Sequence, residues 1–250
     1  MNIIEKIAQK GSDKAAVAQE IIGNPEYLPD LLQGLHHKRG NVKFGCEKTI
    51  RLVSEKRPDL VYPYFDELAK MLDSDNSFLQ WGAIVTISNL VSEDGAQKFG
   101  KIFKKYFSLI TGISMVAAAN VIGNSWKIVR AKPALTGKIV QEILKVKAAR
   151  YEYKGELSPE CNNVACGHVI DAFECFYDKI ENKQPVIRFI LDQRKSTRKS
   201  VALKAEKFLK KYKINLLQTN RMNDLELPLK KQPGHPVCVG SIVGLNIREA

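Results

Sequence analysis

"RPDLVYPYFDELAKMLDSDNSFLQWGAIVTISNLV", Arg57 to Val91, holds a pattern in two parts. The first opens on Pro58, places Leu60, Val61, Phe65 and Leu68 at helical spacing and closes in the polar turn 73–76. Proline just inside a helix start loses no hydrogen bond, because the first N–H groups of a helix have no partner within it. The second part sets the small pair Gly82-Ala83 one helical turn before Ile87. A small residue lets a second helix come close, and the branched chain one turn later fills the groove between them. The segment therefore reads as two packed helices joined by a turn.

The cadence of the second part recurs in "FGCEKTI" (Phe44 to Ile50), "VAAANVI" (Val116 to Ile122) and "NVACGHVI" (Asn163 to Ile170), and more loosely in "SVALKAEKF" (Ser200 to Phe208). Counted from Cys46 through Ala83, Ala118, Cys166 and Ala202, the intervals are 37, 35, 48 and 36 residues, the spacing of helix-pair repeats. The long interval contains "KAARYEYKGELSPE", an insertion expected in the connection of the fourth pair, since solenoids confine insertions to loops. Prolines 25, 58, 133, 159 and 185 mark helix starts. The spacing predicts helices over 2–9, 12–23, 25–34, 40–55, 58–73, 76–92, 94–110, 113–131, 133–148, 159–181, 184–193 and 195–212, and no segment before Leu216 alternates like a strand.

The pattern of Arg57 to Val91, with Pro and apolar residues in a first helix, an Asp-containing turn and a second helix rich in small residues, resembles a HEAT repeat. The resemblance covers about residues 24–213. It implies an all-α, right-handed solenoid, armadillo-like, whose second helices line the concave side. Two features depart from the family pattern: the Arg common early in the second helix is missing from most repeats, and the fourth repeat is stretched. The expected organisation is an N-terminal helix pair, then repeats at about 24–56, 57–94, 95–132, 133–182 and 183–213. Residues 214–250 carry Pro, Gly and Asn without a helical period and are expected to form an irregular tail. Within it, "VCVGSIVGLNI" is apolar enough to dock on the solenoid or on a partner.

Composition narrows the class. The chain has 250 residues, 44% of them hydrophobic and 26% charged, as in a folded globular protein. Its longest apolar run, "GISMVAAANVIG", falls short of the ~18 residues of a spanning helix, so no membrane partner is expected. The start "MNIIEKIAQK" places Glu5 and Lys6 where a secretory signal would be apolar, and five scattered cysteines suit a reducing compartment; a cytoplasmic location is expected. The net charge of +12 is concentrated in "KIFKKYF" through "VKAAR" and in "RKSTRKSVALKAEKFLKKYK".

No phosphate-binding loop, zinc-protease motif, nucleophile elbow or C-x-x-C is present. His168, Asp171, Cys175 and Asp178 share one helical face, but over ten positions they span about 15 Å and cannot converge on one metal ion. Cys161, Cys166 and Cys175 make no better a set with His168, because Cys166 and His168, two apart on a helix, point to different sides. Accordingly no metal, cofactor or catalytic residue is assigned. Trp81 and Trp126, each in a second helix, are candidate partner contacts, with core packing as the plainer reading. Tyr151 and Tyr153, interleaved with Lys147, Arg150 and Lys154 in the insertion, are further candidates for partner binding. Lys199, Lys204, Lys207 and Lys211 on the last helix, with Lys127 and Arg130 on the third repeat, are candidate phosphate contacts or a solvated face.

The expectation is a non-catalytic scaffold that binds another protein. The alternative is a basic solenoid that binds nucleic acid, similar to the HEAT-like alkylpurine DNA glycosylases. Against that alternative, the residues one turn after the tryptophans are Val85 and Arg130, where those enzymes would need a carboxylate; Asp171 is the nearest substitute, on another repeat. A basic concave face would favour nucleic acid, and a mixed face with exposed apolar groups would favour protein.

Overall fold

The computed structural model describes residues 2–214, and every structural statement below concerns them. Almost all of the expected tail thus lies outside the described residues. The chain begins with α1 (Ile3–Ala8) and α2 (Lys14–Gly23), followed by the pair α3 (Leu28–Gly34) and α4 (Gly40–Lys56). The next pair is α5 (Pro58–Val61) plus α6 (Phe65–Lys70) against α7 (Ser77–Leu90). Then come α8 (Lys98–Ser108) with α9 (Met115–Ala131), α10 (Thr136–Leu144) with α11 (Pro159–Phe176), and α12 (Gln184–Gln193) with α13 (Lys199–Lys211).

The same local devices recur at each pair. Asn24, Arg57 and Lys132 end α2, α4 and α9 in nearly the same backbone conformation, φ −133° to −137° and ψ 71° to 73°, and each precedes a proline. The proline ring crowds the preceding residue out of the α region, so the helix must stop there and the next begin at an angle. At the other end, side chains cap the second helices: Asn76 accepts from the N–H groups of Phe78 and Leu79, Ser114 from Ala117 and Ser158 from Cys161. Each satisfies N–H groups that the helix itself leaves unpaired.

α2, α4, α7, α9, α11 and α13 pack side by side, each against the next, while α6, α8, α10 and α12 form a second layer against them. This is an α-solenoid of two-helix repeats. The small pairs serve both directions of packing. A β-carbon at Gly45 would lie 2.5 Å from Cγ2 of Ile7, and one at Gly82 would lie 2.2 Å from Oε1 of Glu47, so these glycines admit the preceding repeat. Cys46, the second member of its pair, faces α3, where a β-carbon at Gly34 would meet its Sγ at 2.4 Å. Cys46 and Ala118 are fully buried, and burial pushes the Cys46 thiol up to about 11, as expected of a structural thiol.

Asp94, between α7 and α8, ties two successive repeats together. Its carboxylate is buried and accepts hydrogen bonds from the Tyr62 hydroxyl (2.8 Å) and the N–H groups of Lys98 (2.6 Å) and Phe99 (3.2 Å). Nζ of Lys132, at the end of α9, lies 3.0 Å from Oδ2. Burial pushes the carboxyl up, but the bonds from Tyr62, Lys132 and the two backbone N–H groups outweigh it and hold Asp94 below the usual carboxylate range.

The structure differs from the sequence expectations in four places. The helix expected over 58–73 is broken at Tyr62–Tyr64 into a 3-10 turn, because Pro63 has no N–H to continue the ladder. The insertion contains a two-residue hairpin, Glu152–Tyr153 against Glu156–Leu157, whose turn residues Lys154 (φ 56°) and Gly155 (φ 83°) both adopt the left-handed conformation a tight hairpin requires. In the last pair the buried positions are Val201 and Ala205, whereas Ala202 is half-buried. Tyr151, expected at a partner surface, is fully buried, and its hydroxyl donates to the carbonyl of Ile110 at 2.7 Å. The insertion is thus sewn to the preceding repeat and offers Tyr153 alone of the two tyrosines to solvent.

Candidate functional site

The outward side of the second-helix layer begins with a chain of polar contacts across three repeats. Nδ2 of Asn89 (α7) donates to Oγ of Ser54 (α4) at 2.9 Å, and Nζ of Lys127 (α9) donates to Oδ1 of Asn89 at 2.7 Å. α7 carries no charged residue, and Asn89 is only half-buried near its end, so its amide is best served by partners on both sides. The chain is possible because α4, α7 and α9 pack side by side, with Ser54, Asn89 and Lys127 at corresponding positions near their C-terminal ends.

Above this chain lies a groove of about 490 Å³ lined by Ser54, Glu55, Asn89, Trp126, Lys127 and Arg130, among others. Trp126 forms an aromatic wall, with Nζ of Lys127 6.0 Å from its ring centroid. Burial is the main cause that lowers the Lys127 ammonium below the usual range; nearby Glu55 pulls it back up, and Arg51 adds to the lowering. Arg130 is exposed and pairs with no acid among the described residues. On α4, Arg51 donates to Glu47 at 3.2 Å and lies 3.7 Å from Glu55. Glu47 occupies the space that Gly82 leaves free, and burial raises its carboxyl while Arg51 offsets the rise. Cations and carboxylates therefore alternate around an aromatic wall, an arrangement able to bind a polar, partly apolar ligand surface.

Of the residues singled out by sequence, the structure brings together Trp126, Lys127 and Arg130. Trp81 sits at the other end of its helix, 5.1 Å from the ring of Phe78, which is itself 5.1 Å from Phe44. Its Nε1 is buried without a hydrogen-bond acceptor among the described residues. The α13 lysines do not form a free track: Lys204 pairs with Asp171 at 2.5 Å and Lys211 lies 3.8 Å from Glu174, while Lys199 and Lys207 are exposed without an acid partner. His168 is half-buried, and burial, then Lys204, lowers its imidazolium. Asp171 is committed to Lys204, and among the described residues no group of three or more His, Cys, Asp or Glu could hold a metal ion. Sequence reasoning missed Ser54 and Asn89; the one signal was an amide in the last turn of a helix without charges.

No protein-family model and no curated protein matches the chain. Solved structures with a similar arrangement include a designed armadillo repeat protein, 15% identical with a TM-score of 0.45 and matching 84% of this chain and 90% of that one. Two engineered proteins from the Northeast Structural Genomics Consortium are similar as well. One is 12% identical (TM-score 0.49, 85% of this chain and 90% of that one), the other 15% identical (TM-score 0.46, 84% and 87%). No helix among the described residues is long and apolar enough to cross a membrane.

Proposed function

We propose that the chain is a non-catalytic scaffold that binds another protein across its second-helix layer, with Trp126 as the central anchor. The observation that carries this reading is the mixed character of that layer. Glu47, Arg51 and Glu55 lie on α4, no charge at all on α7, Lys127 and Arg130 on α9, and Asp171 and Glu174 on α11 opposite Lys204 and Lys211. A face that accepted a phosphate backbone would present cations without this much intramolecular neutralisation. A protein surface, by contrast, is met by an aromatic anchor in a groove with charged groups at its rim.

The test is affinity capture from extract of the producing cells, with the wild-type chain and a Trp126→Ala/Arg130→Glu double variant as baits. A protein retained after nuclease treatment by the wild type and lost by the double variant supports the reading. Capture that vanishes with nuclease, or that the two baits share equally, overturns it. The exposed Lys199, Lys207 and Lys210 on α13 favour the nucleic-acid reading as the second choice, and nuclease-sensitive capture is its signature.

A further inference from the structure

The large exposed apolar side chains of the described residues lie along one edge of the solenoid, with Tyr153 and Leu157 on the two faces of its hairpin. They are Phe78, Ile113, Val116, Tyr153, Leu157 and Leu203, each between 38% and 65% exposed. Phe78 and Val116 are the second residues of α7 and α9, Ile113 stands just before α9, the hairpin carrying Tyr153 and Leu157 leads into α11, and Leu203 lies in the second turn of α13. Because the second helices pack side by side, their N-terminal ends lie along one line, and the hairpin is joined to that line by the Glu152 N–H donating to the Ile113 carbonyl at 3.0 Å. The groove at Trp126 belongs to the opposite ends of the same helices and shares none of these residues.

The geometry points to an anionic lipid surface as the occupant of this edge. The groups are carried by four successive second helices that stand about 8–10 Å apart, so they are strung along a line and not gathered at one centre, although Phe78 packs on Phe44 and Trp81. Protein interfaces draw most of their energy from anchors clustered in a desolvated centre, whereas a bilayer accepts apolar groups at any spacing along a line. The charges agree. Lys38 and Arg39 stand exposed just before α4, Lys195 in the turn before α13 and Lys199 at its first residue, so both ends of the row are basic. The acids of the edge are partly neutralised, Asp73 by Lys105 and Glu160 by Arg198, which leaves Asp75, Glu152 and Glu156 in its middle. Clusters of Lys and Arg beside inserted apolar side chains are what holds a peripheral protein on phosphatidylserine-containing leaflets. The expectation of no membrane partner rested on the lack of a spanning run, and a surface contact needs none.

The probe is co-sedimentation with vesicles of phosphatidylcholine alone and of phosphatidylcholine with about one third phosphatidylserine. The full chain should pellet at low salt with the anionic vesicles and not with the neutral ones. Replacing Ile113 and Leu157 together by Ser should lower the partition coefficient on the order of tenfold with the melting temperature unchanged, since both side chains are already exposed. Lys38→Glu with Lys199→Glu should lower it independently, and acids near helix starts are no threat to the fold. Failure to pellet with anionic vesicles overturns the proposal. So does pelleting that the serine pair leaves unaltered, which would mark attraction by the overall positive charge alone. A serine pair that binds vesicles normally but loses a protein partner would assign the edge to protein instead.

Discussion

Asp94 is held by four donors from two successive repeats, and its removal would take their carboxylate acceptor away. Asp94→Ala is expected to cost about 3–5 kcal/mol, because the Lys132 ammonium and two N–H groups would lose a buried anion. The pH dependence follows from the direction of its shift. A carboxyl held below its unfolded value near 3.9 contributes stability that is complete above that value and is lost as pH falls through the lower folded value. Urea midpoints of the wild type should therefore fall from about pH 4 downward, and those of Asp94→Ala should fall less over the same range. Tyr151 and Tyr153 make a second contrast. Tyr151→Phe leaves the Ile110 carbonyl without its donor and should cost about 1–3 kcal/mol, whereas Tyr153→Ser should change the melting temperature hardly at all. Equal effects of the two would remove the distinction between a core and a surface tyrosine.

Within the elements, the small residues set how closely helices approach. Ala83→Leu or Ala118→Leu forces new methylenes into a filled space and should destabilise by about 1–3 kcal/mol, read as a lowered denaturant midpoint with an unchanged slope. Midpoints equal to that of the wild type would mean that helix spacing does not depend on these positions. The same residues show why the fold could be read from the chain. A proline at a helix start and a small pair in the partner helix are local requirements, and they put α4 at Gly40–Lys56 where 40–55 was expected and α11 at Pro159. Where the deciding contact was distant, the reading failed. Tyr151 is buried by an acceptor 41 residues upstream, and its interleaving with lysine and arginine describes a surface loop equally well. The last pair offered Ala202 as its small residue, but the buried register is Val201 and Ala205. In the candidate site, Trp126, Lys127 and Arg130 were legible because aromatic and basic residues announce their chemistry. Ser54 and Asn89 acquire theirs only from each other.

Across the whole molecule, the net charge of +12 predicts a generic response to polyanions whatever the specific partner is. Binding to duplex or single-stranded nucleic acid should be weak, indifferent to sequence and steeply weakened by salt, as measured by anisotropy of a labelled oligonucleotide over a salt series. Binding that stays tight at high salt, or that discriminates among sequences, would contradict this and require base-reading contacts.

Solenoids usually come apart one repeat at a time, since each unit touches only its neighbours. The insertion alters that expectation, because Tyr151 and Glu152 donate back to Ile110 and Ile113 and so fasten the connection inside the fourth pair to the third. Amide protons of α9 and α11 should then exchange with deuterium as one cooperative block with a common opening free energy, while those of α12 and α13 exchange earlier as an independent one. In Tyr151→Phe the shared block should divide, with α11 losing protection before α9. The stretched repeat thereby acts as a boundary between the part of the chain that opens in a single step and the part that frays.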